Sequence, residues 1–167
     1  MDSCYICGNK AYFYSKYLRQ NLCKKHFEKM LIRRIRGDTA SLGFSREGYN
    51  LIDDGSIGYR LNSFIFAKAS KGSVSVGNFL LDDFALAVLK YFVKKEKISL
   101  KVKGENYFNP LYLISKEEAT AFLRSKGIKY ADPVIKDELS GMLSKLEEKR
   151  PGAMISMVKI GIAASII

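Results

Sequence analysis

The residues with the clearest chemistry are three cysteines and one histidine near the start of the chain. They are the only cysteines and the only histidine among 167 residues, namely Cys4, Cys7, Cys23 and His26. The spacing Cys-x2-Cys-x15-Cys-x2-His forms two close pairs separated by a medium loop, which is typical of a tetrahedral Zn2+ site. Four protein ligands leave no position open for water, so the sequence predicts a structural zinc ion. Buried thiols beside a core histidine, or an iron-sulfur cluster, are the alternatives.

Two kinds of element are expected to position these ligands. Gly8 permits a tight turn after the first cysteine pair, and the aromatic run at residues 12–14 favours a short strand. From Leu22 the pattern becomes helical, and we expect this helix to end at Gly37. Its apolar face would pack on the protein, which leaves a strongly basic face exposed.

The positive charge of the chain is concentrated around this helix. The whole chain carries 28 Lys and Arg against 17 Asp and Glu, a net charge of +11. Residues 1–36 hold nine basic and two acidic residues, which sum to +7. Cations beside aromatic side chains suit RNA phosphates and unstacked bases, whereas a solvated charged face is the simpler alternative. The candidate RNA-binding residues are Lys24, Lys25, Lys29, Arg33, Arg34, Arg36, Tyr12 and Tyr14.

The rest of the chain alternates between strand-like and helix-like segments and so indicates an α/β fold. We expect strands at residues 61–68 and 73–76, a half-buried edge strand at 98–103, and a buried helix from Asp82 to Phe92. Ser115 and Glu118 form a capping box that starts a helix ending near Gly127. Helices at residues 137–149 and from Pro151 onward would follow. The predicted organisation is a zinc finger with a basic helix (1–37), a connection (38–58) and a small α/β domain (59–167).

Two acidic segments could be mistaken for nucleotide sites. Asp82 and Asp83 at a helix start are explained more simply by their interaction with free backbone amides. The segment Asp53-Asp-Gly-Ser-Ile-Gly lacks the dense glycines and the lysine of a phosphate loop, and its acids would repel phosphate. We interpret it as a turn.

The chain shows no targeting segment, which suggests a cytoplasmic protein without a membrane partner. Its longest apolar stretch, residues 153–167, contains Lys159 and is shorter than the roughly 20 residues of a membrane span. We interpret this stretch as a buried helix, with a membrane anchor as the weaker option.

Together these motifs resemble the PP-loop ATPases that thiolate tRNA, of the two-thiouridine synthetase kind. That family begins with a Cys-x2-Cys and Cys-x2-His zinc finger running into a basic helix, which residues 4–7 and 23–36 match. The segment Val76-Gly-Asn-Phe-Leu-Leu-Asp-Asp is similar to the family's Gly-His-Asn-Leu-Asp-Asp, here without the histidine. Residues 109–118 and 146–152 resemble two stretches of its C-terminal half. The resemblance implies a Rossmann-like α/β core.

The sequence departs from this family at its chemical centres. The Ser-Gly-Gly-x-Asp-Ser loop that adenylates tRNA has no equivalent, and residues 59–73 are too few for another strand-helix-strand unit, which needs about 30. The central cysteines are absent, Asp132 stands where a Cys-Pro is expected, and there is no second zinc finger. The resemblance therefore implies a reduced relative that kept its RNA-facing zinc module and a PP-loop-like remnant.

Three functions compete on this basis. The first is a non-catalytic zinc protein that binds rRNA or tRNA, with ribosomal proteins as further partners and no small-molecule substrate. The second is an accessory or minimal subunit of a tRNA 2-thiolation enzyme that completes its site with a partner chain. The third is a protein-interaction module that docks through the apolar tail after Pro151.

Overall fold

A computed structural model describes residues 3–43, 48–66, 72–130 and 138–167. Asp132 and Asp137, on which two sequence predictions fall, lie outside these ranges, as does Lys68. The described strands are β1 Phe13–Ser15, β2 Gln20–Leu22, β3 Tyr49–Leu51, β4 Val74–Val76, β5 Lys103–Gly104 and β6 Tyr107–Phe108. The described helices are α1 Lys24–Ser41, α2 Ile57–Ile65, α3 Leu81–Lys94, α4 Lys116–Ser125, α5 Glu138–Lys149 and α6 Ala153–Ala163.

The first segment is an antiparallel hairpin followed by a long helix. β1 pairs with β2, and α1 begins directly after Cys23. The predicted end of this helix at Gly37 is wrong, because α1 continues to Ser41. A glycine inside a helix costs only about 1 kcal/mol. Beyond Gly37 the helix still buries Thr39, whose hydroxyl donates to the Ile35 carbonyl of the preceding turn at 2.8 Å.

The central sheet has the order β3-β4-β6-β5. The pairs β3/β4 and β4/β6 are parallel, whereas β5 pairs antiparallel with β6 at the edge. The edge strand predicted for residues 98–103 is thus mostly wrong, since only Lys103 belongs to β5. The predicted strand at 73–76 corresponds to β4.

The predicted strand at residues 61–68 is also wrong, because the described part of it lies in α2. Ser56 caps this helix, and its Oγ accepts a hydrogen bond from the Tyr59 amide at 3.0 Å. Ile57, Leu61 and Ile65 recur every four residues, and the first two are buried. In the order of the chain, α2 lies between β3 and β4 and follows the carboxyl end of β3 after a short turn.

The remaining helices largely follow the sequence predictions. Helix α3 contains the predicted span 82–92, and α4 begins with the predicted capping box, in which Ser115 Oγ accepts the Glu118 amide at 3.2 Å. Gly127 follows α4 with φ +67°. Helix α6 packs along α3, but it is buried on one side only, since Val158 is inaccessible while Ile160 is 55% exposed. In the described part of the chain no helix is long and apolar enough to cross a membrane.

The hydrophobic core has two clusters. The larger one joins the first segment to the sheet, since Phe27, Leu31 and Ile35 of α1 share it with Phe108 of β6 and Phe122 of α4. The second lies between α3, α5 and α6. The division of the chain at residues 37 and 58 stays a prediction.

Candidate metal centre and its surroundings

The structure brings the four predicted metal ligands into one cluster. One atom from each of Cys4, Cys7, Cys23 and His26 lies within 4.8 Å of the others. The His26 Nδ1 atom is 3.5 Å from Cys4 Sγ and 3.4 Å from Cys23 Sγ, and the Sγ atoms of Cys7 and Cys23 are 3.7 Å apart.

These distances can be compared with a filled zinc site. Bonds of about 2.3 Å to sulfur and about 2.0–2.1 Å to nitrogen, at tetrahedral angles, separate two sulfurs by about 3.8 Å and a sulfur and a nitrogen by about 3.6 Å. The observed separations of 3.7, 3.5 and 3.4 Å fall close to those values. The cluster therefore has the donors and the dimensions to hold one tetrahedral metal ion.

Local backbone structure explains why the ligands converge. After Cys4 the chain reverses through Gly8, which has φ +72° and whose amide donates to the Cys4 carbonyl at 2.8 Å. The Cys4 amide donates to the Asn9 carbonyl at 2.7 Å and closes the turn. Cys23 is the N-cap of α1, so His26 lies in the first helical turn on the same side.

The electrostatics of the cluster favour the metal-binding form of one cysteine. Burial of Cys4 opposes ionisation, but hydrogen bonds from the backbone at Cys23, Ile6 and Cys7 outweigh it and lower the pKa of the Cys4 thiol to about 6. A thiolate is the form that binds metals. This side chain is thus ready to ligate at neutral pH.

Four cations form a row along the exposed side of α1. Their positions are about one turn apart and together cover about 16 Å of helix. The row, called here the α1 cationic row, consists of Lys25, Lys29, Arg33 and Arg36, all exposed. The same four residues line an open groove of about 730 Å³ together with Ile32, Gly37 and Glu28, and the Glu28 carboxylate is paired with Lys126. Lys24 is exposed at the start of the same helix.

Arg34 does not belong to this surface, which corrects its assignment as an RNA-binding candidate. Its guanidinium forms an ion pair with Glu118, and both side chains are largely buried. It also donates to the Leu113 carbonyl at 2.8 Å and lies 4.2 Å from the centre of the Tyr17 ring. These contacts turn the cation toward α4 and away from solvent.

The two candidate tyrosines differ in a similar way. Tyr14 is 51% exposed on β1. Tyr12 is 41% exposed, but its hydroxyl donates to the Ala121 carbonyl at 2.7 Å and its ring lies 5.9 Å from that of Phe27. Tyr12 therefore contributes to the contact between the first segment and α4.

The turn between β3 and α2 lies where a parallel sheet of this kind binds ligands, beyond the carboxyl ends of its strands. Here the chain's own carboxylates occupy that position. Asp53 accepts the Gly55 amide at 3.0 Å, and Asp54 accepts the Ser56 amide at 2.9 Å and the Asn78 side-chain amide at 3.1 Å. The hydrogen bonds outweigh partial burial and hold the pKa of Asp54 below its ordinary value. The segment is an acidic turn, as predicted.

Asp82 and Asp83 both accept backbone amides at the start of a helix, but only Asp83 does so at its own helix, as the sequence suggested. Asp83 accepts the Leu80 amide at 2.8 Å at the start of α3, and Asp82 accepts the Lys116 amide at 2.7 Å at the start of α4. Burial raises the pKa of both carboxyls, although these hydrogen bonds oppose it.

Sequence reasoning missed a buried amide network beside the acidic turn. Asn62 of α2 is fully buried and donates to the Gly77 carbonyl at 2.9 Å and to Asn78 Oδ1 at 3.0 Å. Asn78 in turn donates to the Ile52 carbonyl at 2.9 Å. The sequence does contain one sign of this network, because the polar Asn62 directly follows Leu61 on the buried face of an otherwise apolar helix. This network fixes the turn to both parallel strands.

Comparison with known proteins gives a structural match but no sequence match. No protein-family model matches the chain, and no curated protein matches its sequence. Among solved structures, the U34-tRNA thiolase NcsA from Methanococcus maripaludis, with its [4Fe-4S] cluster, superposes with a TM-score of 0.71 at 15% identity. The match covers 95% of this chain and 85% of that chain. This likeness shows the fold, a mixed α/β protein with a Rossmann-like parallel sheet, and near its amino end the chain has a cysteine and histidine cluster with the donors for one metal ion.

Proposed function

We propose that this chain is a non-catalytic zinc protein that binds RNA, with tRNA favoured over rRNA. The observation that carries the proposal is the α1 cationic row, which begins at Lys25, between the candidate ligands Cys23 and His26, in a fold shared with a tRNA thiolase. A row of exposed cations attracts phosphates through counterion release. The metal ion would stabilise the segment from which this helix starts.

Zinc is the metal that the donor set favours. Three thiolates and one imidazole at tetrahedral separations match structural zinc sites. A [4Fe-4S] cluster, as in the thiolase, is usually held by four thiolates, and this chain has three cysteines in all. Four protein ligands leave no open position, so the metal would stabilise structure and would not activate water.

The absence of catalysis is supported by the acidic turn. A phosphate group at the start of α2 would need free backbone amides. The amides of Gly55 and Ser56 already donate to Asp53 and Asp54, and these carboxylates would repel phosphate. These backbone amides are therefore already used within the turn. They do not supply the free hydrogen-bond donors to phosphate that adenylation needs.

The proposal is tested by measuring tRNA affinity against salt for the full zinc-loaded chain. Replacing Lys29, Arg33 and Arg36 together by Gln should weaken binding and reduce the slope of log K against log salt by about 2. A matched control replaces the exposed Lys145, Lys149 and Arg150 by Gln and removes the same charge from α5 and its end. If both triple variants change the slope equally, or if the wild type binds neither tRNA nor rRNA at low salt, the proposal is wrong.

A second candidate is an accessory subunit of a tRNA-thiolation complex, which the likeness to the thiolase favours. A subunit of that kind would bind ATP, alone or with tRNA. Calorimetric titration of ATP into the chain, with and without tRNA, separates the two candidates. Saturable heat that an Asp83→Asn variant loses would support the second candidate, whereas its absence supports the first.

A further inference from the structure

A groove lies between the loop of the first cysteine pair, the turn of the β1–β2 hairpin and helix α1. Its volume is about 510 Å³, within the range of about 300–1,000 Å³ found for ligand sites. Ile6, Tyr17, Leu18 and Met30 give it apolar walls, and the other lining residues are Lys29, Arg33, Arg34 and the candidate metal ligand His26. No described residue that lines the groove is acidic.

Three of these apolar side chains are unusually open to solvent. Ile6 is 55% exposed, Tyr17 56% and Leu18 42%. Ile6 belongs to the loop of the first cysteine pair, whereas Tyr17 and Leu18 are neighbours in the turn of the β1–β2 hairpin. A contiguous apolar patch with a cationic border is typical of a binding surface.

Tyr17 is held in a defined orientation. The Arg34 guanidinium lies 4.2 Å from the centre of its ring, and that guanidinium is itself fixed by Glu118 and by the Leu113 carbonyl. The Arg34 guanidinium thus covers one face of the Tyr17 ring, while much of the Tyr17 side chain stays exposed to solvent. A ring that is already ordered loses little conformational freedom when a planar group stacks on it.

We propose that this groove binds one unstacked nucleobase of an RNA strand, with Tyr17 as the stacking platform. This inference rests on the proposed function and adds a preference to it: the site selects RNA with an unpaired nucleotide over a closed duplex. Charge complementarity identifies the occupant, since Lys29 and Arg33 would meet the phosphates on either side of the base. These two cations belong to the α1 cationic row, so a strand that follows the row passes the groove.

The physical basis of the preference is access to the base. Within an A-form helix the bases are stacked and their faces are covered, so only phosphates and sugars can reach the protein. An unpaired base can leave the stack and place its face on an aromatic ring. Such stacking changes affinity by about 5- to 150-fold per base. The phosphate contacts of the row are available to both forms of RNA.

The test compares two RNA probes on the full zinc-loaded chain. One probe is a single-stranded decamer with 2-aminopurine at its centre, and the other is a blunt duplex of the same length. Tyr17→Leu should weaken binding of the single strand about tenfold and abolish the fluorescence change of 2-aminopurine. It should leave duplex affinity and the salt slope unchanged, because it removes no charge. Tyr17→Phe keeps the ring and should behave as the wild type.

Zinc content and the thermal midpoint confirm that each variant is folded. Leu18→Ser, in the same hairpin turn, gives a second reading if Tyr17→Leu does not fold, and it should also weaken only single-strand binding. If the variants weaken both probes equally, or neither, the groove is not a base site while the proposed RNA binding stands. If a peptide of alternating Asp and Leu competes for the groove more strongly than the single strand, a protein segment is its occupant and the inference is overturned. If neither probe binds the wild type at low salt, the proposed function itself fails.

Discussion

Arg34 of α1 forms an ion pair with Glu118 of α4, across 84 positions of sequence, with side chains that are only 12% and 8% exposed. Glu118 also accepts the Ser115 amide at 3.1 Å and thereby caps α4. One carboxylate therefore serves two purposes: it starts a helix and it attaches the segment that carries the candidate metal ligands to the α/β core. The second Arg34 bond, to the Leu113 carbonyl, reinforces the same junction.

Arg34→Met should destabilise the protein by about 3–5 kcal/mol, because it leaves the Glu118 carboxylate buried without its cation. Urea unfolding of the zinc-loaded protein measures this change. The neighbouring Arg33→Met removes the same charge from an exposed position and should change stability by less than about 0.5 kcal/mol. The double variant Arg34→Met with Glu118→Gln should recover part of the loss, since no buried charge remains. Equal effects of the two single variants would show that the pair does not stabilise the junction.

The sequence could predict the metal centre because its information is local. Cys4, Cys7, Cys23 and His26 lie within 23 residues, and their types and spacing restrict the geometry. The capping box at Ser115 was predictable for the same reason. The role of Arg34 was not, because six neighbouring cations look alike in sequence and only tertiary structure shows that one of them meets a distant carboxylate.

Two of the wrong predictions, the strand at residues 61–68 and the end of α1, share one physical cause, which is that a local signal was outweighed by tertiary structure. The run at residues 64–66 is aromatic and β-branched and so favours a strand. The Ser56 cap and the four-residue spacing of Ile57 and Leu61 favour a helix, and burial of that face decides the outcome. At the end of α1 the helix continues past Gly37 through the buried Thr39 to Ser41, although glycine favours an end there.

Two glycines in helices should respond in opposite ways to a methyl group. Gly37→Ala should stabilise the protein by about 0.5–1 kcal/mol, because a Cβ there meets nothing within 4 Å and alanine favours the helix. Gly58→Ala should destabilise it by about 1–3 kcal/mol, because the new Cβ would clash with the Asn78 backbone. Thermal unfolding of both variants measures the difference. Stabilisation by both substitutions would mean that α2 does not lie against residue 78.

Asp38 should make stability depend on pH. Burial raises the pKa of its carboxyl to about 6, although Arg34 opposes this. Because the folded-state pKa exceeds the unfolded value of about 3.9, the neutral form is favoured on folding. The contribution of the neutral Asp38 carboxyl to the free energy of unfolding is complete at pH below 4 and is lost as pH rises toward and past 6.

Asp38→Asn should therefore raise the unfolding midpoint relative to wild type at pH 7 but hardly at pH 4. The difference between the two proteins, followed across this range, isolates Asp38 from the metal ligands; a difference independent of pH would contradict the assignment.

The metal centre should hold one zinc ion per chain, and its removal should unfold the first segment preferentially. Chelation takes away the bonds that join the Cys4 loop to the start of α1, so amide exchange should rise first at residues 3–26. His26→Ala should lower zinc affinity strongly, because it leaves three ligands, whereas His26→Cys restores four and should retain the ion. Co2+ substitution checks the geometry, since tetrahedral thiolate coordination has a characteristic visible spectrum. Iron and sulfide in the native protein, or a first segment that stays protected after chelation, would show that a structural zinc ion does not hold this segment together.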